Sequence, residues 1–91
     1  MLPIRWRAAA LDDLERLIAE IARFNLSAAE DMRDRIESVI LPLSNYPYLY
    51  RAGRVPGTRE LVAHPNYIVI YKVELECIEI VSILHARQRY P

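Results

Sequence analysis

Residues Tyr67 to Val73 read YIVIYKV, β-branched or aromatic at every position but Lys72. Such side chains fit a pleated surface better than a helix. The run is apolar on both faces, so it predicts a central strand buried between other elements. An apolar sheet face left without a cover marks a partner site. His64-Pro65-Asn66 comes just before and predicts a turn, because proline presets one dihedral and asparagine tolerates the next. Strands are expected over Arg59–Ala63 and Cys77–Ala86, giving an antiparallel meander of three. The turn between the last two, Glu74–Glu76, carries no glycine or asparagine and has no sequence signal.

Upstream the period changes. Leu2, Ile4 and Trp6 alternate with Pro3 and Arg5, a short strand pattern with proline near its start. From Ala8, Leu11, Leu14, Ile18 and Ile21 recur at three- and four-residue steps and form one helical stripe. Asp12, Asp13 and Glu15 fall in its first turns, where the helix dipole favours acids. Asn25 reads as the stop. Ser27 with Glu30 is a capping-box pattern that starts a second helix, with Met32, Ile36, Val39, Ile40 and Leu43 as its stripe. Asp31 and Arg35 stand four apart and are expected to pair on its wet face. Pro42 should kink or end this helix. The join is so short that the two helices must form an antiparallel hairpin. The expected fold is α+β, ordered β-α-α-β-β-β, with the hairpin on one face of a four-stranded antiparallel sheet. Asn45–Pro56 reads as a surface loop.

The chain has 91 residues and is read as a single domain, 1–91. Its apolar share of 53% is enough to fold and leaves apolar surface for a partner. No stretch approaches the roughly 20 apolar residues of a membrane span, and Arg5 and Arg7 interrupt any leader-like run. One cysteine, Cys77, cannot make an internal disulfide and favours a reducing compartment. A cytoplasmic protein with no membrane association is expected. Net charge is zero but unevenly spread. Ala8–Glu37 holds eight acids against four arginines, whereas Ser38–Val73 holds Arg51, Arg54, Arg59 and Lys72 against Glu60 alone. A basic rear half suits an anionic partner, or else arginines that brace loops.

Little here supports catalysis. Two histidines and one cysteine have no ligand spacing, so no metal is expected. Gly53 and Gly57 lie apart and form no phosphate cradle. No cofactor or small-molecule substrate is expected. His85 and Arg87 stand two apart on the last strand and share a face, which Arg59 could join from a neighbour. That set would serve a nuclease as catalytic residues, contact a target, or be no more than a strand-end histidine beside a solvated arginine. His64 reads as structural and Trp6 as core. Arg59-Glu60 reads as an architectural pair. Tyr46, Tyr48 and Tyr50 beside Arg51 and Arg54 either stack on nucleic acid or pack their loop on the core. Leu17, Phe24 and Leu26 fall off the main stripe of the first helix and are candidates for binding a partner.

Three strings on the expected elements carry a resemblance: GTRELV (Gly57–Val62), YIVIYKV (Tyr67–Val73) and ILHARQRYP (Ile83–Pro91). In this order, after the helix hairpin, they resemble the ParE branch of the RelE/ParE toxins along essentially the whole chain. The resemblance implies the toxin of a type II toxin–antitoxin pair, neutralised by direct binding of a small acidic or amphipathic antitoxin that folds on the toxin. ParE-type members are associated with plasmid stabilisation and with poisoning DNA gyrase; RelE-type members cut mRNA on the ribosome. RelE-type cleavage relies on several lysines and arginines around the scissile phosphate. This chain has the single lysine Lys72 and no lysine cluster. The expectation is therefore a non-enzymatic gyrase inhibitor. The alternatives are a metal-independent endoribonuclease using Arg59, His85 and Arg87, or a homologue of weak or lost toxicity. Target contact is expected from Arg59, Lys72, His85, Arg87 and Arg89, and antitoxin contact from Leu17, Phe24 and Leu26.

Overall fold

The computed structural model describes residues 1–90; Pro91, the end of the third resembling string, lies outside them. The elements run β1 (Ile4–Trp6), α1 (Ala8–Ala22), α2 (Leu26–Ile40), a 3₁₀ turn (Leu41–Ser44), β2 (Arg51–Ala52), β3 (Arg59–His64), β4 (Tyr67–Val73) and β5 (Ile78–His85). They form one five-stranded sheet, ordered β1-β5-β4-β3-β2, with the helix hairpin on one face. The meander β3-β4-β5 is antiparallel as expected, and β4 has the bounds its composition marks.

Two features of the sheet differ from expectation. First, the sheet is mixed rather than wholly antiparallel: β1 pairs parallel with β5, Ile4 opposite Ile78 and Trp6 opposite Ile80. Second, it has a fifth strand inside the expected loop. Arg51 and Ala52 pair with Glu60 and Arg59. The alternation at Leu2–Trp6 marks β1 but not its direction, and β2 is so short that pairing alone defines it.

The helices form from their stripes. Ala10, Leu14 and Ile18 of α1, and Ala29, Ile36 and Ile40 of α2, are buried against Leu61, Val69, Tyr71, Ile78, Ile80 and Ile83 of the sheet. Leu11, at the edge of the first stripe, is exposed. Pro42 ends α2 as expected and sits at the start of the 3₁₀ turn, where its missing N–H is harmless. Across the hairpin, Arg33 donates to both carboxylate oxygens of Glu15 at 3.0 Å, which holds the Glu15 carboxyl below the usual carboxylate range.

The start of α2 is not the capping box. Asn25 is the N-cap, its side-chain oxygen accepting the Ala28 N–H at 3.0 Å, and Ser27 lies within the helix. Both residue types cap well; the one at the hairpin tip is used. Arg35 does not pair with Asp31. Its Nε–H donates to the Ala63 carbonyl at 2.9 Å and ties α2 to β3. Asn25→Ala is expected to cost about 1 kcal/mol, read as a lowered thermal midpoint, with Ser27→Ala changing it far less.

Candidate protein-docking surface

Strand alternation sorts the candidate residues by face. On β4, Tyr67, Val69 and Tyr71 point at the helices, while Ile68 and Ile70 point away. The outer face is thus apolar at its centre, where Ile68, Ile70 and Leu84 form a second cluster with Val81 and Tyr90. Tyr90 packs against it. Arg54 lies 5.8 Å from the Tyr90 ring centre and donates to the Tyr90 carbonyl at 3.5 Å.

Glu60 anchors this arrangement from the same face. It is one of two buried polar residues among those described. Its carboxylate accepts from Arg51 at 3.1 Å, from the Arg54 backbone at 2.9 Å and from the Arg54 guanidinium at 3.1 Å. These contacts, led by the Arg54 side chain, hold the Glu60 carboxyl below the usual range, and burial opposes them. The loop between is closed by Gly53, whose N–H donates to Thr58 at 2.7 Å, and by Gly57 at φ 84°, a conformation that favours glycine. Glu60 therefore pairs with Arg51 and Arg54, not with Arg59. Neighbours along a strand face opposite ways.

Arg59 lies on the helix side. It donates to the Tyr50 carbonyl at 2.7 Å and stacks 4.8 Å above the Tyr48 ring. Tyr46 and Tyr48 are exposed, whereas Tyr50 packs on the core. The Tyr71 hydroxyl donates to the Pro47 carbonyl at 2.9 Å and fixes the same loop from below.

The histidines stand at the other end of the sheet. Tyr67 pairs with His64 on one side and His85 on the other. Its ring lies 5.8 Å from His64 and 5.6 Å, edge-on, from His85. Each imidazole accepts a backbone N–H at Nδ1: His64 from Asn66 at 3.0 Å, His85 from Arg87 at 3.1 Å. Both thus shape turns. Arg87 lies past the end of β5, in the turn that His85 caps, and does not share a strand face with it. Nor is Arg59 brought to His85. It pairs with Tyr71, four residues along β4 from Tyr67, or about 13 Å. Lys72 is half-buried opposite Glu79, whose carboxylate binds Arg7 at 2.9 Å. Arg87 and Arg89 are exposed, with no ion pair among the described residues.

The three apolar candidates fall in two places. Phe24 and Leu26 are exposed at the hairpin tip, Phe24 with Arg23 stacked at 5.5 Å. Leu17 lines a groove of about 400 Å³ between α1 and the end of β5, together with Asp13, Glu20, Tyr67, Ile83 and His85. Asp13 closes one end of that groove. Its carboxylate accepts the Ile83 N–H at 3.0 Å and the Ser82 hydroxyl at 2.9 Å. Sequence reasoning gave Asp13 only a helix-dipole role, since nothing local signals a contact 70 residues away. A second groove, of about 340 Å³, runs beside β1 between Trp6, Leu11, Leu14, Ile40 and Leu41. Among the described residues no metal-binding cluster occurs, and no helix is long and apolar enough to cross a membrane.

The surface is one of grooves, an apolar sheet face and scattered arginines, an arrangement suited to holding another macromolecule. The chain is 37% identical over 89 residues to Y4kP of Sinorhizobium fredii, covering 97% of this chain and 92% of that protein. It is 34% identical over 88 residues to Toxin RelE2 of Caulobacter vibrioides, covering 94% and 97% respectively. Its fold matches a chain of the chromosomal ParDE TA system from P. aeruginosa with a TM-score of 0.84 at 21% identity, over 93% of this chain and 96% of that one. Residues 4–90 match the family described as the ParE toxin of the type II toxin–antitoxin system parDE, so the helix hairpin, the mixed sheet and the grooves between them belong to a member of the ParE toxin family.

Proposed function

We propose that this toxin acts in the cytoplasm by binding DNA gyrase without chemistry of its own, and that an antitoxin encoded beside it neutralises it by direct contact. The observation that carries the non-enzymatic reading is the separation of Arg59 from His85 at opposite ends of the sheet. A ribonuclease needs its general base and its phosphate-binding cations around one phosphate. Here Arg51 and Arg54 are also committed to Glu60. Support for an antitoxin partner comes from family membership and from the exposed apolar residues at the hairpin tip.

The test pairs two assays on the purified toxin. Inhibition of gyrase supercoiling, with filamentation and an SOS response in cells, is the expected result. Ribosome-dependent mRNA cleavage with immediate translation arrest would replace this reading with the endoribonuclease one.

The exposed arginines past β5 are the target contacts this reading favours. Arg87→Ala with Arg89→Ala should change stability by no more than about 0.5 kcal/mol. It should weaken target binding by about 2 kcal/mol, or roughly thirtyfold. Undiminished toxicity in the double mutant would move the target surface to the loop carrying Arg51, Arg54 and Arg59.

A further inference from the structure

β1 is an edge strand, and its outer side is open. On the inner side the Ile78 N–H donates to the Pro3 carbonyl at 2.8 Å, and the Arg7 N–H donates to the Ile80 carbonyl at 3.0 Å. Backbone groups alternate in direction along a strand. Pro3, Arg5 and Arg7 therefore turn theirs to β5, while Leu2, Ile4 and Trp6 turn theirs outward. Leu2 is already engaged: its N–H donates to the Ser44 carbonyl at 3.1 Å, and its carbonyl accepts the Ser44 hydroxyl at 2.6 Å. At the other end α1 begins at Ala8. Between these stops the outward N–H and carbonyl of both Ile4 and Trp6 have no hydrogen-bond partner among the described residues.

The length of this gap selects a direction. In an antiparallel ladder a residue exchanges both its bonds with one partner residue, so a three-residue segment satisfies all four groups. A parallel segment needs five residues for the same bonds and crowds both stops. The side chains select a composition. Ile4 and Trp6 point to the helix side, so the residues opposite them do too. A groove of about 340 Å³ lies there, walled by Leu11, Ile40 and Leu41, and Leu11 and Leu41 are exposed. Both incoming side chains are therefore apolar. The middle residue stands opposite Arg5, which is exposed and has no ion pair among the described residues. An acid fits that place. The molecule already holds this pattern against β1: Ile78-Glu79-Ile80 of β5 lies opposite Ile4-Arg5-Trp6, with Glu79 engaged by Arg7. A second copy of β1 would instead set Arg5 against Arg5, and like charges directly opposite are unfavourable.

We infer that the outer edge of β1 docks an extended segment of a partner protein, running antiparallel to β1, with an apolar–acidic–apolar core. Main-chain bonds to Ile4 and Trp6 hold the segment, and the groove and Arg5 choose its sequence, the usual division of labour in strand addition. This surface shares no lining residue with the groove beneath α1. The inference is independent of the gyrase reading, because it follows from the open edge and not from the target.

The test uses the full-length toxin and two blocked peptides, Thr-Ile-Glu-Ile-Thr and Thr-Ile-Lys-Ile-Thr, with binding followed by Trp6 fluorescence and by amide hydrogen exchange. At saturation with the acidic peptide, the Ile4 and Trp6 amides are expected to slow by roughly tenfold or more. The Arg5 and Arg7 amides, turned to β5, should keep their free rates. The lysine peptide should bind about fivefold more weakly, and Arg5→Glu should reverse that preference. The comparison of the two peptides on the parent protein stands even if Arg5→Glu fails to fold. No binding at millimolar peptide, equal binding of the two peptides, or slowing that leaves Ile4 and Trp6 untouched overturns the inference. So does a free toxin that is dimeric with the Ile4 and Trp6 amides already protected, since a second copy then occupies the edge.

Discussion

Ile36→Ala should lower the stability of this toxin by about 3 kcal/mol, the usual cost of truncating a buried isoleucine with incomplete collapse of the cavity. Ile36 is fully buried in the layer between the helices and the sheet. A domain of this size has on the order of 5–10 kcal/mol in total, so the thermal midpoint should fall by roughly 12–24 °C. Calorimetry on the free protein measures this directly. A partner that binds only the folded state should restore part of the loss by mass action, so the midpoint of the mutant should depend on antitoxin concentration. A drop under 1 kcal/mol would mean that the core repacks around the missing methyl groups.

The second large effect concerns Glu60. Glu60→Gln should cost about 2 kcal/mol at neutral pH, since charged hydrogen bonds to two arginines and a backbone N–H are weakened together. Both arginines reach solvent and rehydrate, which keeps the cost below that of a fully buried broken pair. The pH dependence is a further signature. The folded-state pKa of Glu60 is depressed. The stabilisation is therefore complete above the unfolded carboxylate value of about 4.3 and is lost as pH falls through the lower folded value. The gap between the parent and Glu60→Gln should be widest near pH 7 and close in strong acid, as read from urea midpoints across that range. A gap independent of pH would assign the loss to shape and not to charge.

The parts of this fold legible in the sequence are those whose signal is long or repeated. YIVIYKV states its own strand, and two apolar stripes with a short join state the hairpin. The parts that were not legible depend on pairing. Three residues, Ile4 to Trp6, alternate the same way whether they pair parallel or antiparallel, so direction is invisible locally. Arg51 and Ala52 become a strand only because Glu60 and Arg59 lie opposite. Capping was ambiguous because Asn25 and Ser27 both suit the role, and the sequence pattern at Ser27 was the fuller one. At the candidate site, Leu17, Phe24 and Leu26 stood out as apolar residues off the main stripe. Asp13 and Tyr67 did not, because their place in the groove follows from the approach of α1 to β5. The adjacency of Arg59 and Glu60 invited a pairing that strand geometry forbids.

The pairing of β1 with β5 also bears on how fast the molecule assembles. Ile4 must find Ile78, and Arg7 must find Ile80 and Glu79, across nearly the whole length of the chain. Contacts this distant in sequence raise the contact order and slow folding, because the loop-closure entropy is spent before the contacts form. During synthesis the hairpin emerges early and has its sheet only when β5 follows. The groove beneath α1 is thus among the last surfaces to exist, so a nascent toxin passes through a stage with two amphipathic helices exposed and no completed edge strand. Refolding followed at Trp6 should report this late step, with its fluorescence changing after the helical signal has appeared.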